Sequence, residues 1–456
     1  MSKFNPTKKE IRVANNGALA VNETTYGKLK RLVGMYLIND ERTYDDGNVD
    51  ISQEIIRLTS DLSPSQFKKL VEKTRFEYGL RHTPLLLIIG ALRSETLRTV
   101  ISEINPKILN RPSDTMDLIA IYKKYNSGRT IPNQIKKLIS KALNNFDEYQ
   151  LSKYSKTTKK EVNLKDVINL THPKPKNSEQ EKLFKGVLKG NLPSPMTWEV
   201  HLSNTKDKKQ AWEDLLDTNK LPALATIRNI RNMIISGVDE KKIAKYIDGL
   251  KSNWIFPFQI ITVMTMLSSE VIKKSLENYL IRMSNSYIKL DGLTYIVLDI
   301  SGSMGSFIQS ENAKKAFSMA YSLILASENC KVFLTAGNDY EIKHKTKLIK
   351  TTTNIDKFLN EIYSSAIGHG GIFTAQAIDW IDNQNYDDEV DRVVVISDSQ
   401  DCDRNGKKAK KIANYMYVNN IAAYNRIAFT DNNKPFDADI TTFSSRIIDF
   451  IKFHEE

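Results

Sequence analysis

The chain has 456 residues, 41% hydrophobic and 26% charged, with a net charge of +12. That length exceeds one typical core and implies two or three domains of ordinary globular composition. No apolar run reaches the roughly 18–20 residues that span a bilayer, and Cys330 and Cys402 alone provide neither a disulfide framework nor a cysteine zinc site. With no apolar stretch behind its first residues, the chain reads as cytoplasmic, with no membrane partner.

The charge is unevenly placed. Residues 1–285 hold 47 Lys+Arg against 31 Asp+Glu, whereas 286–456 hold 19 against 23. A basic first part points to a polyanion, RNA or DNA; the alternative is a solvated basic surface.

In chain order, residues 1–285 read as successive helices: Gln66–Tyr78, Thr83–Arg98, Pro132–Phe146, Gln180–Lys189, Lys208–Leu216, Pro222–Ile235 and Phe256–Leu267. Apolar residues recur there at spacings of three and four, and prolines mark several helix starts (Pro64, Pro84, Pro132, Pro222). Helix pairs of this kind stack into solenoids, each burying its apolar face against the next. The densest positive stretch, Lys123–Lys176, interleaves lysines with Tyr122, Tyr125, Tyr149, Tyr154 and His172. Lysines there can neutralise phosphates and aromatic rings can stack on unpaired bases; Lys136, Lys137, Lys153, Lys156, Lys159, Lys160 and Lys165 are the candidate contacts.

From about residue 286 short β-branched runs alternate with helical segments. Strands are predicted at Thr294–Asp299, Lys331–Thr335, Arg392–Ser397, Ala422–Phe429 and Arg446–Ile451. Helices are predicted at Glu311–Ser327, Asp356–Tyr363, Ala375–Asp382 and Ala409–Val418. This alternation predicts a parallel α/β sheet with helices on both faces, whose ligands bind beyond the carboxyl ends of the strands.

The first of those strands ends in Asp299, followed by Ser301 and Ser303 with Gly302 and Gly305 between and after them. A carboxylate and two hydroxyls on a tight turn form a hard-oxygen site suited to Mg²⁺. A glycine-rich segment, 368–371, precedes Thr374, and the apolar strand 393–397 leads into Asp398. Convergence of the three loops would complete the metal site; helix capping is the competing reading of the same residues. Ser301-Gly302-Ser303-Met304-Gly305 also approaches a Gly-x-Ser-x-Gly nucleophile elbow, but its first position is Ser. His369 and His454 are the nearest candidate bases, and neither sits in a motif that calls for one.

Asp299, Ser301, Ser303, Thr374 and Asp398 together resemble the metal-ion-dependent adhesion site of von Willebrand factor A domains, with Ile372 standing where many members place the threonine. That resemblance implies a divalent metal, most readily Mg²⁺, with one coordination position left for a partner's carboxylate. The segments 83–93, 111–118, 169–175 (Asn169-Leu-Thr-His-Pro-Lys-Pro), 198–203 and 221–233 stand in the order of the TROVE module of the Ro ribonucleoprotein family. The resemblance implies an all-α HEAT-like repeat ring over residues 1–285, followed by an α/β, Rossmann-like von Willebrand factor A domain over 286–456. It further implies a non-enzymatic RNA-binding protein, a monomer. Small noncoding Y-like RNA would bind the outer face and single-stranded 3′ ends of misfolded RNA the basic central hole. His172 and Lys174 are carried over as RNA contacts, and RNA quality control or scaffolding of an exoribonuclease as the role. The alternative from another class is a metal-dependent protein assembly scaffold that binds no RNA.

Overall fold

The computed structural model describes residues 12–13, 19–20, 24–39, 51–126, 130–155, 161–251, 255, 257–284, 289–305, 310–365, 367, 370–386, 389–398, 400–403, 409–422, 426–429, 436–441 and 446–456. They form two compact units, 23–197 and a second comprising 1–22 with 198–456.

The first unit is helical. Its centre is the helix Thr83–Ala91, in which every residue is buried, as expected of a segment apolar on all sides. It packs on Ile51–Thr59 so closely that a β-carbon at Gly90 would lie 2.6 Å from the Ile56 carbonyl oxygen. The predicted helix Thr83–Arg98 is two helices, because Ser94 caps a second one, Glu95–Val100, by accepting from the Leu97 amide. The helix foreseen from Gln66 starts at Pro64, behind a reciprocal capping box between Ser63 and Gln66. It ends in a wider turn, Lys73–Glu77, that carries the buried Arg75. Pro132 and Pro222 directly precede the helices Asn133–Leu143 and Ala223–Ile235.

In the second unit Arg12–Val13 (β1) pairs antiparallel with Leu19–Ala20 (β2). Among the described residues six helices follow from Trp198–Asn204 to Glu270–Ser284, then a seven-stranded sheet. Its strands are β3 (Leu290–Asp299), β4 (Ser327–Asn338), β5 (Lys343–Ile349), β6 (Arg392–Ser397), β7 (Tyr415–Asn420), β8 (Arg426–Phe429) and β9 (Ala438–Thr441). The order is β5-β4-β3-β6-β7-β9-β8, parallel from β4 to β9 with antiparallel edges β5 and β8. Tyr295, Val297, Val393 and Val395 point to a core completed by Ile378 and Ile381 of the helix Thr374–Asn383. Their neighbours Ile296, Leu298, Val394 and Ile396 point the other way and are equally buried, so the central strands are covered on both faces. The change from helices to strands falls near residue 285, but the compact unit that holds the sheet also takes in the helices from 198 onward, where Pro257–Met264 packs on the sheet helix Glu311–Ala326.

Two further expectations need correction. Ala409–Val418 is not a helix; Tyr415–Asn420 is a strand that takes its hydrogen bonds from β6, a partner distant in sequence. Arg446–Ile451 is not a strand: Ile447–Glu455 is a helix. Its β-branched residues mimic a strand, but Ile447, Phe450 and Ile451 share a helical face and Arg446 pairs with Asp449 at 2.9 Å. The strand β5, with its alternating lysines, was not among the predicted strands. Among the described residues no helix is long and apolar enough to cross a membrane.

Candidate metal centre and nucleic-acid interface

Parallel pairing of β3 with β6 sets Asp299 beside Ser397 at the carboxyl end of the sheet. Ser397 donates to Asp299 Oδ2 at 2.7 Å, and the Ser301 amide donates to Oδ1 at 2.8 Å. After Asp299 the chain makes one tight turn, Gly302–Met304, closed by Gly305 at φ 74°. A side chain at Gly305 would meet Ser310 at 2.7 Å. The turn holds the Ser301 and Ser303 hydroxyls 3.2 Å apart. The glycine loop reaches the same point, the Gly302 amide donating to the Gly370 carbonyl at 3.1 Å. Thr374 is buried at the first position of its helix, and Asp398 follows β6, also buried.

Asp299 is fully buried, and burial pushes its carboxyl up to about 6, with the negative charge of Asp398 adding to the rise against the hydrogen bonds from Ser301 and Ser397. A buried carboxylate whose ionisation burial opposes is a site where a cation would be stabilised. Two carboxylates and three hydroxyls are hard donors of low total charge, which suits Mg²⁺ with its retained waters. Among the described residues no group of three or more His, Cys, Asp or Glu could hold a metal ion, so a metal here would rest on the hydroxyls.

Sequence reasoning missed the acidic ring around these residues. Asp401 Oδ1 accepts from the Thr374 amide at 3.3 Å, Asp403 Oδ2 from Ala375 at 2.6 Å, and Asp339 Oδ1 from Gly371 at 2.7 Å. Gln376 ties the parts together, donating to Asp403 at 3.1 Å and to the Ile342 carbonyl at 3.2 Å. The series Asp398, Asp401, Asp403 was the available signal. Neither Ser301 nor Ser303 has a histidine partner among the described residues. His454 Nδ1 lies 3.0 Å from the Tyr417 hydroxyl, and His369 lies outside the described residues.

The basic candidates lie in the first unit. Lys137, Lys153, Lys165, His172 and Lys174 are exposed and Lys136 half-buried, while Lys156, Lys159 and Lys160 fall outside the described residues. Lys153 sits over the Tyr149 ring at 5.9 Å, a cation–π contact. His172 ends the helix Leu164–Thr171 in the left-handed conformation, φ 45°. Behind it Asn144 clamps the loop, donating to the Lys174 carbonyl at 2.8 Å and accepting from the Lys176 amide at 2.8 Å. The loop is held by its backbone, and its cationic side chains face solvent.

Residues 188–367 match the TROVE domain family model. The match takes in the segments at 198–203 and 221–233 and continues across Asp299, Ser301 and Ser303; the segments at 83–93, 111–118 and 169–175 lie before it. The chain shares the fold of the Ro (Rsr) protein of Deinococcus radiodurans, with a TM-score of 0.65 at 15% identity over 94% of this chain and 99% of that one. Telomerase protein component 1 of Mus musculus is 40% identical over 50 residues and that of Rattus norvegicus 40% over 47, in each case 2% of the relative's length.

Proposed function

We propose that this chain, which carries a TROVE domain and has the fold of a Ro protein, is an RNA-binding protein of the Ro type, not an enzyme. The observation that carries the reading is the coincidence of that domain and fold with an exposed cationic surface on the helical unit. Helix-borne Lys136, Lys137, Lys153 and Lys165 and the clamped loop of His172 and Lys174 present charge to a phosphate backbone, and Tyr149 offers a ring for base stacking. Small structured Y-like RNA and single-stranded 3′ ends are the ligand classes such a surface takes, with RNA quality control as the role. Asp299, Ser301, Ser303, Thr374 and Asp398 would hold Mg²⁺, which would supply a coordination position for a carboxylate of a partner protein, an exoribonuclease being one candidate.

The test is a titration of labelled oligouridylate and of a structured small RNA into the full chain over a salt series. Counterion release predicts a log–log slope near −0.7 per neutralised phosphate on the single strand. A flat response would overturn the RNA reading. Sequencing of RNA crosslinked to the protein in cells identifies the ligand.

A further inference from the structure

The part of the chain that holds the sheet is acidic overall, yet its edge strand β5 carries a row of lysines. Lys343, Lys345 and Lys347 alternate with His344, Thr346 and Leu348; the three lysines are exposed and the other three half-buried. The alternate residues face the body of the unit. The His344 ring lies 6.2 Å from Trp380, and Thr346 shares a hydrogen bond of 3.1 Å with Thr335 on β4. Alternation in a strand then turns all three lysines to one side, about 7 Å apart. That interval is close to the spacing of phosphates along one nucleic-acid strand.

These charges are available. Among the described residues none of the three lysines has an acidic partner, whereas Lys410, Lys411 and Lys452 of the same unit pair with Asp382, Asp437 and Asp291. The open edge at the start of β5 is partly taken, since the His344 amide donates to Gln376 Oε1 at 3.3 Å. That contact works against an added peptide strand and favours a ligand bound through side chains. Lysines on edge strands also discourage aggregation, a purpose that a phosphate-binding role would not conflict with.

We propose that Lys343, Lys345 and Lys347 form a second phosphate-binding track, on the edge of the sheet, for the backbone of single-stranded RNA. The inference rests on the RNA reading above and extends it to a surface outside the helical unit. It is tested with the full chain and fluorescent oligouridylate, measuring Kd over a salt series for wild type, for Lys343→Glu/Lys345→Glu/Lys347→Glu, for the same triple change to Gln, and for Lys136→Glu/Lys137→Glu. Circular dichroism melts check that each variant folds, and the Gln variant keeps the test open should charge reversal unfold the strand. The expected result is a loss of affinity of at least about tenfold at low salt, with the log–log slope reduced by about 2, three phosphates at about 0.7 each. Wild-type affinity and slope in the β5 variants, beside weakened binding in Lys136→Glu/Lys137→Glu, would overturn the track and leave the RNA reading standing. A salt-independent wild type would overturn both.

Discussion

At the residue scale, Asp299 is a position where burial and chemistry conflict. Its carboxyl, raised to about 6 by burial, binds a proton in the folded chain at pH values where the unfolded chain has lost it. Without metal, stability is therefore highest below about pH 4 as far as this group is concerned, and falls as pH rises from about 4 to about 6, by an amount on the order of 3 kcal/mol. Denaturation in EDTA across that range should show the decline, and Asp299→Asn should flatten it. Near pH 7.5, Mg²⁺ should raise the melting temperature of the wild type by mass action and leave that of Asp299→Ala unchanged. Equal shifts in both proteins would remove Asp299 from the site.

At the element scale, two contacts hold the helical unit together in different ways. Arg75 on the wide turn is buried against Asp114 of the helix Pro112–Tyr125, at 2.5 Å, and Arg81 reaches the second oxygen of Asp114 at 3.0 Å. Burial lowers the Arg75 pKa, Asp114 works against that shift by charge and hydrogen bond, and Arg111 and Arg81 add to it. Asp114→Ala leaves the guanidinium buried without its carboxylate, and equilibrium urea unfolding should record a loss of about 3–5 kcal/mol. Gly90 lets its helix lie against the Ile56 carbonyl. Gly90→Ala should cost about 1–3 kcal/mol by forcing the two helices apart, despite alanine's higher helix propensity. A stabilised variant would show that propensity outweighs the contact.

At the scale of the whole molecule, the charge imbalance becomes a division of labour. Cationic side chains concentrate on the helical unit, Asp339, Asp401 and Asp403 gather on the segment 371–375 at the end of the sheet, and β5 interrupts that pattern. Lys136→Glu/Lys137→Glu should weaken RNA binding and leave the Mg²⁺-induced thermal shift intact, since the two lysines and the candidate metal ligands lie in different compact units. Loss of the metal effect in that variant, read by calorimetry, would mean that the units are coupled.

Much of this was legible in the residues themselves. Helix starts at Pro64, Pro132 and Pro222 and the turn after Asp299 follow from local chemistry: a fixed proline φ, a capping hydroxyl, a glycine free to take positive φ. The candidate ligands Asp299, Ser301 and Ser303 are contiguous, so the chain alone brings them together. Strands are another matter. The pattern of Ala409–Val418 favours a helix, yet Tyr415–Asn420 is a strand, because a strand's hydrogen bonds come from a partner elsewhere in the chain, here β6, which no local pattern encodes. Arg446–Ile451 has the pattern of a strand but lies in the helix Ile447–Glu455, because β-branched side chains serve either structure until packing selects one. The acidic ring of Asp339, Asp401 and Asp403, the clamp of Asn144 on the His172 loop and the lysine row of β5 depend on contacts between distant segments or on which face of a strand is covered. Only the tertiary structure decided them, whereas the sequence by itself determined the basic first part and acidic remainder, the succession of helices and then strands, and the turn that carries Asp299, Ser301 and Ser303.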